Sequence, residues 1–384
     1  MQKVATPSPP AASHAGHFQW LDGVRGLAVI WIAFFHCILS YNDGRFPSPV
    51  TINSISGFVG QCAQGSLFGY FSCTVKAIIA AILQRGSQGV GVFLLFSGFG
   101  LTYSLVKSGG LPTSWASWYR RRFTRLFPIY WLAHLILLVS PFTVLHDPID
   151  TRFLLSFLGD RVYPVDKMFF YLVPAWWFLG MLIEFYIAFP LLLKLMQRLG
   201  WARHLGLCIV LTTGARYFIQ VVGADGNYLM GAFFLCRLWE FAAGMALGKL
   251  MAEAPDETFR LLLSWKGLFF GVLTYALGFL TYQPNFLFNI SDGLTAMGLS
   301  VVLMHAACRL DSVPVLGRSF SLAGVYSYSI YLFHQPYVIF AGEKLRPYSF
   351  GAFLILASAV IALISLVSMS FEYTVNRAAS RFFR

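Results

Sequence analysis

Charged side chains are scarce in this chain of 384 residues. Asp, Glu, Lys and Arg together make up 11% of it, against roughly 25% in an ordinary soluble domain. So few charges cannot coat a soluble protein of this size, and a hydrophobic content of 57% excludes a disordered chain. Six cysteines are too few for a scaffold built on disulfides. The remaining class is a polytopic membrane protein, which we expect to be all-α.

Membrane helices need about 20 apolar residues each, and the chain offers ten such segments. They are residues 21–41, 88–106, 123–141, 170–195, 204–222, 228–249, 263–281, 286–308, 321–341 and 350–371. We therefore expect a cytoplasmic tail (1–19), one transmembrane domain (20–372) and a short basic cytoplasmic tail (373–384). The polar N-terminal tail does not resemble a signal peptide, so the first span is expected to be an uncleaved anchor.

Basic residues predict the orientation of these spans. With the N-terminus in the cytoplasm, the inside segments hold seventeen Lys and Arg residues and the outside segments hold eight. Such an excess belongs on the cytoplasmic side, and an even number of spans then places both termini there. These anchors account for the net charge of +12. We expect no nucleic-acid partner, because no basic stripe interleaves with exposed aromatic residues.

Two of the six cysteines, Cys62 and Cys73, lie in the first predicted outside loop, residues 42–87. An extracytoplasmic loop allows a disulfide, and the sequence leaves open whether this pair is bonded. The other four cysteines lie within predicted spans and are expected to be packed thiols.

The first span carries an arginine and a histidine on one face. Arg25 and His36 are eleven positions apart, close to three whole turns, at depths that differ by about 16 Å. Charges at membrane depth are costly and therefore candidates for function. Asp22 precedes Arg25 by one turn and can pair with it. The alternative is a structural Arg–Asp pair with an interfacial histidine, and periodicity alone does not separate the two.

The strongest positive cluster lies at the cytoplasmic mouth of the third span. It contains Arg121, Arg122 and Arg125, and several arginines together suit the phosphates of a nucleotide-like ligand. The alternative is an ordinary anchor on lipid head groups. In the second span, Ser97-Gly98-Phe99-Gly100 permits either a bend or close helix packing.

Two further ionisable side chains lie at depths near that of His36. Glu184 is in the middle of the fourth span and His334 is in the outer half of the ninth. Together with His36 they suggest a base with an orienting partner. The other buried groups are expected to be structural: Glu240 and Asp292 as partners of Arg237 or Arg216, and His134 and His305 as packed or interfacial side chains. We expect no metal, because no spacing of His, Cys and Asp resembles a metal site.

Six segments together resemble the acyltransferase-3 family of membrane O-acyltransferases, in order and spacing, over residues 20–372. They are LDGVRGLAVIWIAFFH (21–36), GVGVFLLFSGFG (89–100), WYRRRFTRLFPIYW (118–131), WWFLGMLIEFYIAFPLLL (176–193), LWEFAAGMALG (238–248) and YSYSIYLFHQP (326–336). The joint match is far more specific than any one of these segments.

The resemblance implies a ten-helix membrane domain and a reaction. Members of the family move an acyl group, usually acetyl, from cytoplasmic acyl-CoA to an acceptor at the outer face. The acceptor is commonly a sugar hydroxyl of a surface polysaccharide or of its lipid-linked precursor. We therefore expect a multi-pass protein of the cell (inner or plasma) membrane, in contact with membrane lipid, with acetyl-CoA as donor and a glycan or lipid-linked saccharide as acceptor. The sequence is compatible with a homo-oligomer.

The resemblance also assigns site residues. It carries the family's essential arginine and histidine onto Arg25 and His36, the arginine motif at the coenzyme phosphates onto Arg121, Arg122 and Arg125, the second-span motif onto Ser97, Gly98 and Phe99, and the late motif onto Ser327, Tyr328, Ser329 and His334.

The chain departs from the family's pattern at several positions. Many relatives have an acid where this chain has Gly91, a leucine in place of Gly100, and two adjacent acids at positions 182 and 183. Here the acid is Glu184, shifted by one residue. Some relatives carry a fused esterase-like domain, so we expect this chain to complete the transfer itself or with a separate partner.

The predicted function is acyl-CoA-dependent O-acetylation. Arg25 and the second-span motif would line the path of the pantetheine arm. His36 would act as base or transient acyl carrier, with Glu184 or His334 as its partner. Because a neutral imidazole is needed, activity is expected to fall below the unperturbed histidine pKa of about 6.5.

Two other functions remain open. A transporter or flippase of a lipid-linked saccharide accounts equally well for ten helices and buried charges, although the inverted repeats typical of transporters are not visible. A non-catalytic scaffold leaves the ionisable groups at depth without a purpose.

Overall fold

A computed structural model describes residues 19–382, except 49, 144–146, 225 and 283–285. The regular elements in this part of the chain are helical, which confirms the predicted all-α class. In chain order they are α1 Gln19–Asn42, α2 Ile52–Cys62, α3 Leu67–Gln84, α4 Gly89–Lys107, α5 Trp115–Val139, α6 Thr151–Phe157, α7 Val165–Met168, α8 Trp177–Leu199, α9 Trp201–Val221, α10 Asn227–Gly231, α11 Leu238–Glu253, α12 Pro255–Leu263, α13 Trp265–Thr281, α14 Phe288–Leu310, α15 Pro314–Val325, α16 Ser327–Leu345 and α17 Phe350–Phe382. Short 3-10 turns occupy Gly86–Gln88, Pro174–Trp176 and Phe234–Arg237.

Eight of the ten predicted spans each coincide largely with one long helix, whereas 228–249 covers α10, a 3-10 turn and part of α11, and 321–341 covers the end of α15 and most of α16. Among the described residues, seven helices are long and apolar enough to cross a membrane, or eight if the bent pair α12 and α13 forms one span. Helices α9 and α16 are outside this set. The chain is thus a polytopic, all-α membrane protein, while the count of ten and the cytoplasmic termini stay predictions. Most of the predicted N-terminal tail (1–18) and the last two residues lie outside the described part.

The first predicted outside loop contains two helices that were not predicted from the sequence. Thr51 caps α2 and Ser66 caps α3 through side-chain oxygens that accept backbone N–H bonds, as helix starts require. A disulfide joins Cys62 of α2 to Cys73 of α3, which resolves the pairing that the sequence left open. Helix α3 runs through the turn Gly86–Gln88 directly into α4.

Glycines set two close helix crossings. Gly26 of α1 lies against the carbonyl of Phe320 on α15, and Gly324 of α15 lies against the carbonyl of Asp22, so a Cβ would fit at neither position. Gly98 of α4 and Gly244 of α11 likewise face the carbonyls of Phe241 and Leu95. Small residues at helix contacts let the backbones approach closely. These crossings place α1 and α4 at the centre of the helix bundle.

Prolines inside two helices leave backbone carbonyls without their helical hydrogen bond, and aromatic side chains donate to these carbonyls instead. A proline has no N–H, so the carbonyl four residues earlier loses its helical partner. Pro336 of α16 frees the carbonyl of Leu332, which accepts a bond of 2.9 Å from the indole Nε1 of Trp176. Pro190 of α8 frees the carbonyl of Tyr186, which accepts a bond of 3.2 Å from the Tyr119 hydroxyl. The two prolines therefore predict, from the sequence alone, where α16 and α8 need a hydrogen-bond donor from another part of the chain.

A buried ion network holds α9, α11 and α14 together. Arg216 Nη1 lies 2.7 Å from Asp292 Oδ2, and Arg237 lies 2.8 Å from Glu240 Oε1 and 3.3 Å from Asp292 Oδ2. Two guanidinium groups and two carboxylates cancel in charge, as burial demands. The prediction that these acids are structural partners of the arginines is confirmed.

Candidate functional site

A cavity of about 320 Å³ opens among α1, α4, α5, α8 and α16, with the end of α15 beside it. Helices α1 and α4 run antiparallel along it. Gly89 of α4 lies against Ile32 of α1, while Gly100 faces Arg25, whose Nη2 is 3.6 Å from the position of a Cβ there. The α4 residues on the wall extend from Val90 to Ser104, a length on the order of 20 Å. The cavity therefore runs along a membrane helix rather than across it.

One end of this cavity is cationic. It is lined by Arg25, Arg122 and Arg125, together with Ser104 and Tyr186. The Arg25 guanidinium lies 3.8 Å from the Asp22 carboxylate, as the spacing predicted. Arg122 stacks over the Trp118 ring at 4.7 Å, a contact that holds its planar group in place.

The positive charge at this end is mostly uncompensated. In the part of the chain that the structure describes, the ion pairs leave the guanidinium groups of Arg122 and Arg125 without a carboxylate partner. Three cations beside a single nearby carboxylate, that of Asp22, attract an anion that carries several charges.

The opposite end of the cavity is apolar and leads toward two histidines. Ile32 and Tyr331 line it, together with Val90, Phe93 and Phe178. His36 follows Ile32 by one turn of α1, and His334 follows Tyr331 by one turn of α16. The centroids of the two imidazole rings are 5.2 Å apart. The structure thus brings together His36 and His334, which the sequence proposed as neighbours.

Hydrogen bonds fix the orientation of this histidine pair. Gln335 Nε2 lies 3.2 Å from His36 Nδ1, and Gln335 Oε1 accepts a bond of 2.6 Å from the Ala175 N–H. His334 Nδ1 lies 2.7 Å from the Tyr331 carbonyl. His334 and Gln335 are buried, whereas His36 is half-buried. Gln335 was not predicted from the sequence, because its side chain is not ionisable, although the residue directly follows His334.

Glu184 is directed elsewhere. Its carboxylate accepts a bond of 2.6 Å from the Tyr228 hydroxyl and one of 2.9 Å from the Phe234 N–H. Leu182, two residues earlier, lines the cavity. Two residues correspond to about 200° of helix rotation, so Glu184 lies on the side of α8 that faces away from Leu182 and the cavity wall. These bonds do not support the prediction that Glu184 orients His36.

The second-span motif divides between two faces of α4. Ser97 lines the cavity, and its hydroxyl donates to the Phe93 carbonyl at 2.8 Å. Gly98 belongs to the crossing with α11, and Phe99 is 1% exposed beside the Trp20 ring. Gly98 and Phe99 therefore pack helices together, which is the structural alternative that the sequence had left open.

In the arginine cluster and in the late motif, likewise, some residues line the cavity and others do not. Arg121 and Arg125 are both exposed, but only Arg125 is among the cavity-lining residues, as is the less exposed Arg122. Ser327 and Tyr328 line the cavity, whereas the Ser329 hydroxyl is buried and donates to the Tyr326 carbonyl.

Gly91 lies beside the buried ion network. A Cβ at this position would be 3.7 Å from Arg237 Nη2. An acid at position 91, as the resemblance implies for many relatives, would reach that guanidinium. In this chain Glu240 and Asp292 already compensate it, so the departure at Gly91 leaves no buried charge unpaired.

The loop that carries Ala175 is held by a buried arginine. Arg161 is 1% exposed. Its Nη2 donates to the carbonyls of Phe169, Tyr171 and Val173 at 3.1, 2.9 and 3.3 Å. Its Nη1 donates to the Ser156 hydroxyl at 2.8 Å. Arg161 thus ties the segment before Pro174–Trp176 to the end of α6.

Replacing Arg161 by methionine is expected to lower the free energy of unfolding by about 3 kcal/mol or more, since each buried acceptor left without a donor costs about 1–3 kcal/mol. The measurement is the thermal unfolding midpoint of purified protein in detergent. Arg152→Met is the matched control, because Arg152 pairs with Asp150 near the surface and such pairs contribute about 0–1 kcal/mol. Equal midpoints for the two variants would contradict the role of Arg161.

Comparison with known proteins identifies the family of this chain. A family model described as an acyltransferase domain, that of the acyltransferase-3 family, matches residues 18–370, nearly the whole chain. No curated protein and no solved structure shows significant similarity to it. Among the described residues, no group of three His, Cys, Asp or Glu side chains is arranged to hold a metal ion. The match over residues 18–370 shows that this chain belongs to the acyltransferase-3 family of membrane acyltransferases.

Proposed function

We propose that this acyltransferase moves an acetyl or other short acyl group from cytoplasmic acyl-CoA to a hydroxyl of an extracytoplasmic or lipid-linked glycan. One observation carries the proposal: a single cavity has uncompensated arginines at one end and a histidine pair one helical turn beyond the other. A donor with a polyphosphate at one end and a reactive thioester at the other matches that polarity.

The donor would lie along α4. Its phosphates would bind Arg122 and Arg125, with Arg25 nearby, because guanidinium groups form paired hydrogen bonds to phosphate oxygens. The pantetheine arm would pass Ser97 and the apolar wall of Phe93 and Ile32. The thioester would then reach the turn that carries His36.

The histidine pair would move the protons of the reaction. The acceptor hydroxyl gives its proton to an imidazole while its oxygen bonds to the acyl carbon. The C–S bond breaks, and the CoA sulfur takes up a proton and leaves as the thiol. General acid–base catalysis of this kind contributes about 10²–10⁴-fold to a rate.

The acceptor would approach from the end opposite the arginines. His36 is half-buried, and the pair lies one turn of α1 and α16 beyond the cavity-lining residues Ile32 and Tyr331. In the predicted orientation, that end lies at the outer face of the cell membrane (the inner or plasma membrane), where a surface glycan or its lipid-linked precursor is found.

The test is thiol release by purified protein in nanodiscs given acetyl-CoA, with and without an added glycan fraction. We expect CoA to appear in the free thiol form, faster when an acceptor is present. Acetyl-pantetheine, which lacks the nucleotide phosphates, is the matched donor control and should require a far higher concentration.

Two results would contradict the proposal. Absence of acetyl-CoA binding and turnover together with glycan-dependent lipid translocation would favour a flippase. Equal use of acetyl-pantetheine and acetyl-CoA would show that the arginines do not bind the phosphates of the donor.

A further inference from the structure

The Gln335 side chain has only one orientation in this structure. A backbone N–H can only donate a hydrogen bond. The Gln335 atom 2.6 Å from the Ala175 nitrogen must therefore be the carbonyl Oε1. The amide nitrogen Nε2 is then the atom that faces His36, at 3.2 Å from Nδ1.

This orientation sets the tautomer of His36. An amide NH₂ group donates and does not accept, so Nδ1 of His36 must carry its lone pair toward Gln335. A neutral imidazole has one protonated nitrogen, which is then Nε2. His36 presents an N–H on its free side.

His334 has the opposite tautomer. Its Nδ1 lies 2.7 Å from the Tyr331 carbonyl and 3.2 Å from the Ile330 carbonyl. Carbonyls only accept, so Nδ1 carries the proton and Nε2 carries the lone pair. That Nε2 is buried and has no hydrogen-bond partner within the described part of the chain. The ring centroids of His334 and His36 are 5.2 Å apart. This separation leaves room for a third group that accepts a hydrogen bond from His36 Nε2–H and donates one to His334 Nε2.

The frame behind Gln335 is rigid. Arg161 ties the carbonyls of Phe169, Tyr171 and Val173 immediately before the turn that contains Ala175. Trp176 in the same turn is bonded to the Leu332 carbonyl of α16. Rotation of the Gln335 amide would set its NH₂ group against the Ala175 N–H, donor against donor.

We propose that Gln335 is a positioning residue that keeps the proton of His36 on Nε2, so that His36 serves as the hydrogen-bond donor and His334 as the base. The catalytic meaning rests on the proposed function, whereas the tautomer does not. In the transfer, the acceptor hydroxyl gives its proton to His334 Nε2 and its oxygen bonds to the acyl carbon. The C–S bond breaks, and the sulfur, which accepts a hydrogen bond from His36 Nε2–H, takes up the proton from His334 Nε2 and leaves as the thiol. Both rings are then neutral and in their original tautomers.

The first test needs no activity. Histidine labelled with ¹⁵N in both ring positions distinguishes the two tautomers by nitrogen chemical shift and by coupling to the ring protons. The protein is studied in nanodiscs, and His36→Asn assigns the signal of that ring. We expect His36 protonated on Nε2 and His334 protonated on Nδ1. His36 protonated on Nδ1 in the unaltered protein overturns the proposal whatever the protein catalyses.

The second test reverses the hydrogen bond. In Gln335→Glu, one carboxylate oxygen still accepts from Ala175, and the other now accepts from His36 Nδ1–H. We expect the ¹⁵N signals to switch to the other tautomer and thiol release to fall about 100-fold or more, since a wrong tautomer in a histidine-based site costs up to about 10⁴-fold. If His36 were the base, this variant would keep or raise the activity, and that result overturns the assignment of roles.

Two controls separate tautomer from structure. Gln335→Met removes the bond without reversing it and should give a mixture of His36 tautomers. Gln197→Glu makes the same change of charge on an exposed side chain of α8 and should leave both the spectrum and thiol release as they are. An unaltered His36 tautomer in Gln335→Met would show that Gln335 does not set it.

Discussion

His36→Ala is expected to lower kcat for thiol release by about 10²–10⁴-fold, the contribution that a positioned acid or base makes. The donor should still bind, because the arginines lie at the other end of the cavity, on the order of 16 Å along α1. The measurement pairs thiol release with acetyl-CoA binding to the same sample by calorimetry.

His305→Ala is the matched control for this variant. His305 is another histidine of a long helix, with Nε2 2.9 Å from the Leu262 carbonyl, and it is not among the cavity-lining residues. Its loss should reduce stability rather than kcat. If His36→Ala keeps more than a tenth of the turnover, neither acid nor base chemistry depends on that ring.

Arg122→Ala combined with Arg125→Ala is expected to raise the KM for acetyl-CoA about 100-fold or more. Hydrogen bonds to charged groups contribute about 1.5–3 kcal/mol each, and about 1.4 kcal/mol corresponds to tenfold in affinity. The value of kcat at saturation should change little, because neither side chain is near the histidines. The measurement is a donor titration of thiol release in nanodiscs at fixed ionic strength.

Arg121→Ala is the control, since Arg121 is exposed and lies outside the cavity wall. We expect its KM to stay within a few-fold of the unaltered protein. Acetyl-pantetheine gives a second control, because its KM should be the same for the double variant and the unaltered protein. Equal effects of Arg121→Ala and the double variant would mean that the cluster only anchors the helix.

Much of this arrangement follows from sequence periodicity. A spacing of eleven residues places Arg25 and His36 on one face of a helix, and both are directed toward the same group of helices. Apolar length located ten segments that are largely helical, although 228–249 and 321–341 each contain a break between helices. These features are local to one helix, and a single sequence determines them well.

The remaining features depend on which helix faces meet. Arg121, Arg122 and Arg125 look alike in sequence, yet only two of them reach the cavity. Glu184 has the right depth, but a rotation about the axis of α8 directs it to Tyr228. Gln335 carries no charge, so depth arguments pass over it, and its importance appears only when Ala175 and His36 are seen on either side of it.

The glycine crossing of α4 with α11 imposes an order on biosynthesis. Gly98 and Gly244 are separated by almost 150 residues, which a ribosome adds at about 5–20 per second. For on the order of ten seconds, α4 is inserted while its permanent neighbour does not yet exist. During that interval, its glycine face must be covered by lipid or by the insertion machinery. With a larger residue at position 244, α11 would be inserted but could not pack against α4, and the glycine face of α4 would stay uncovered.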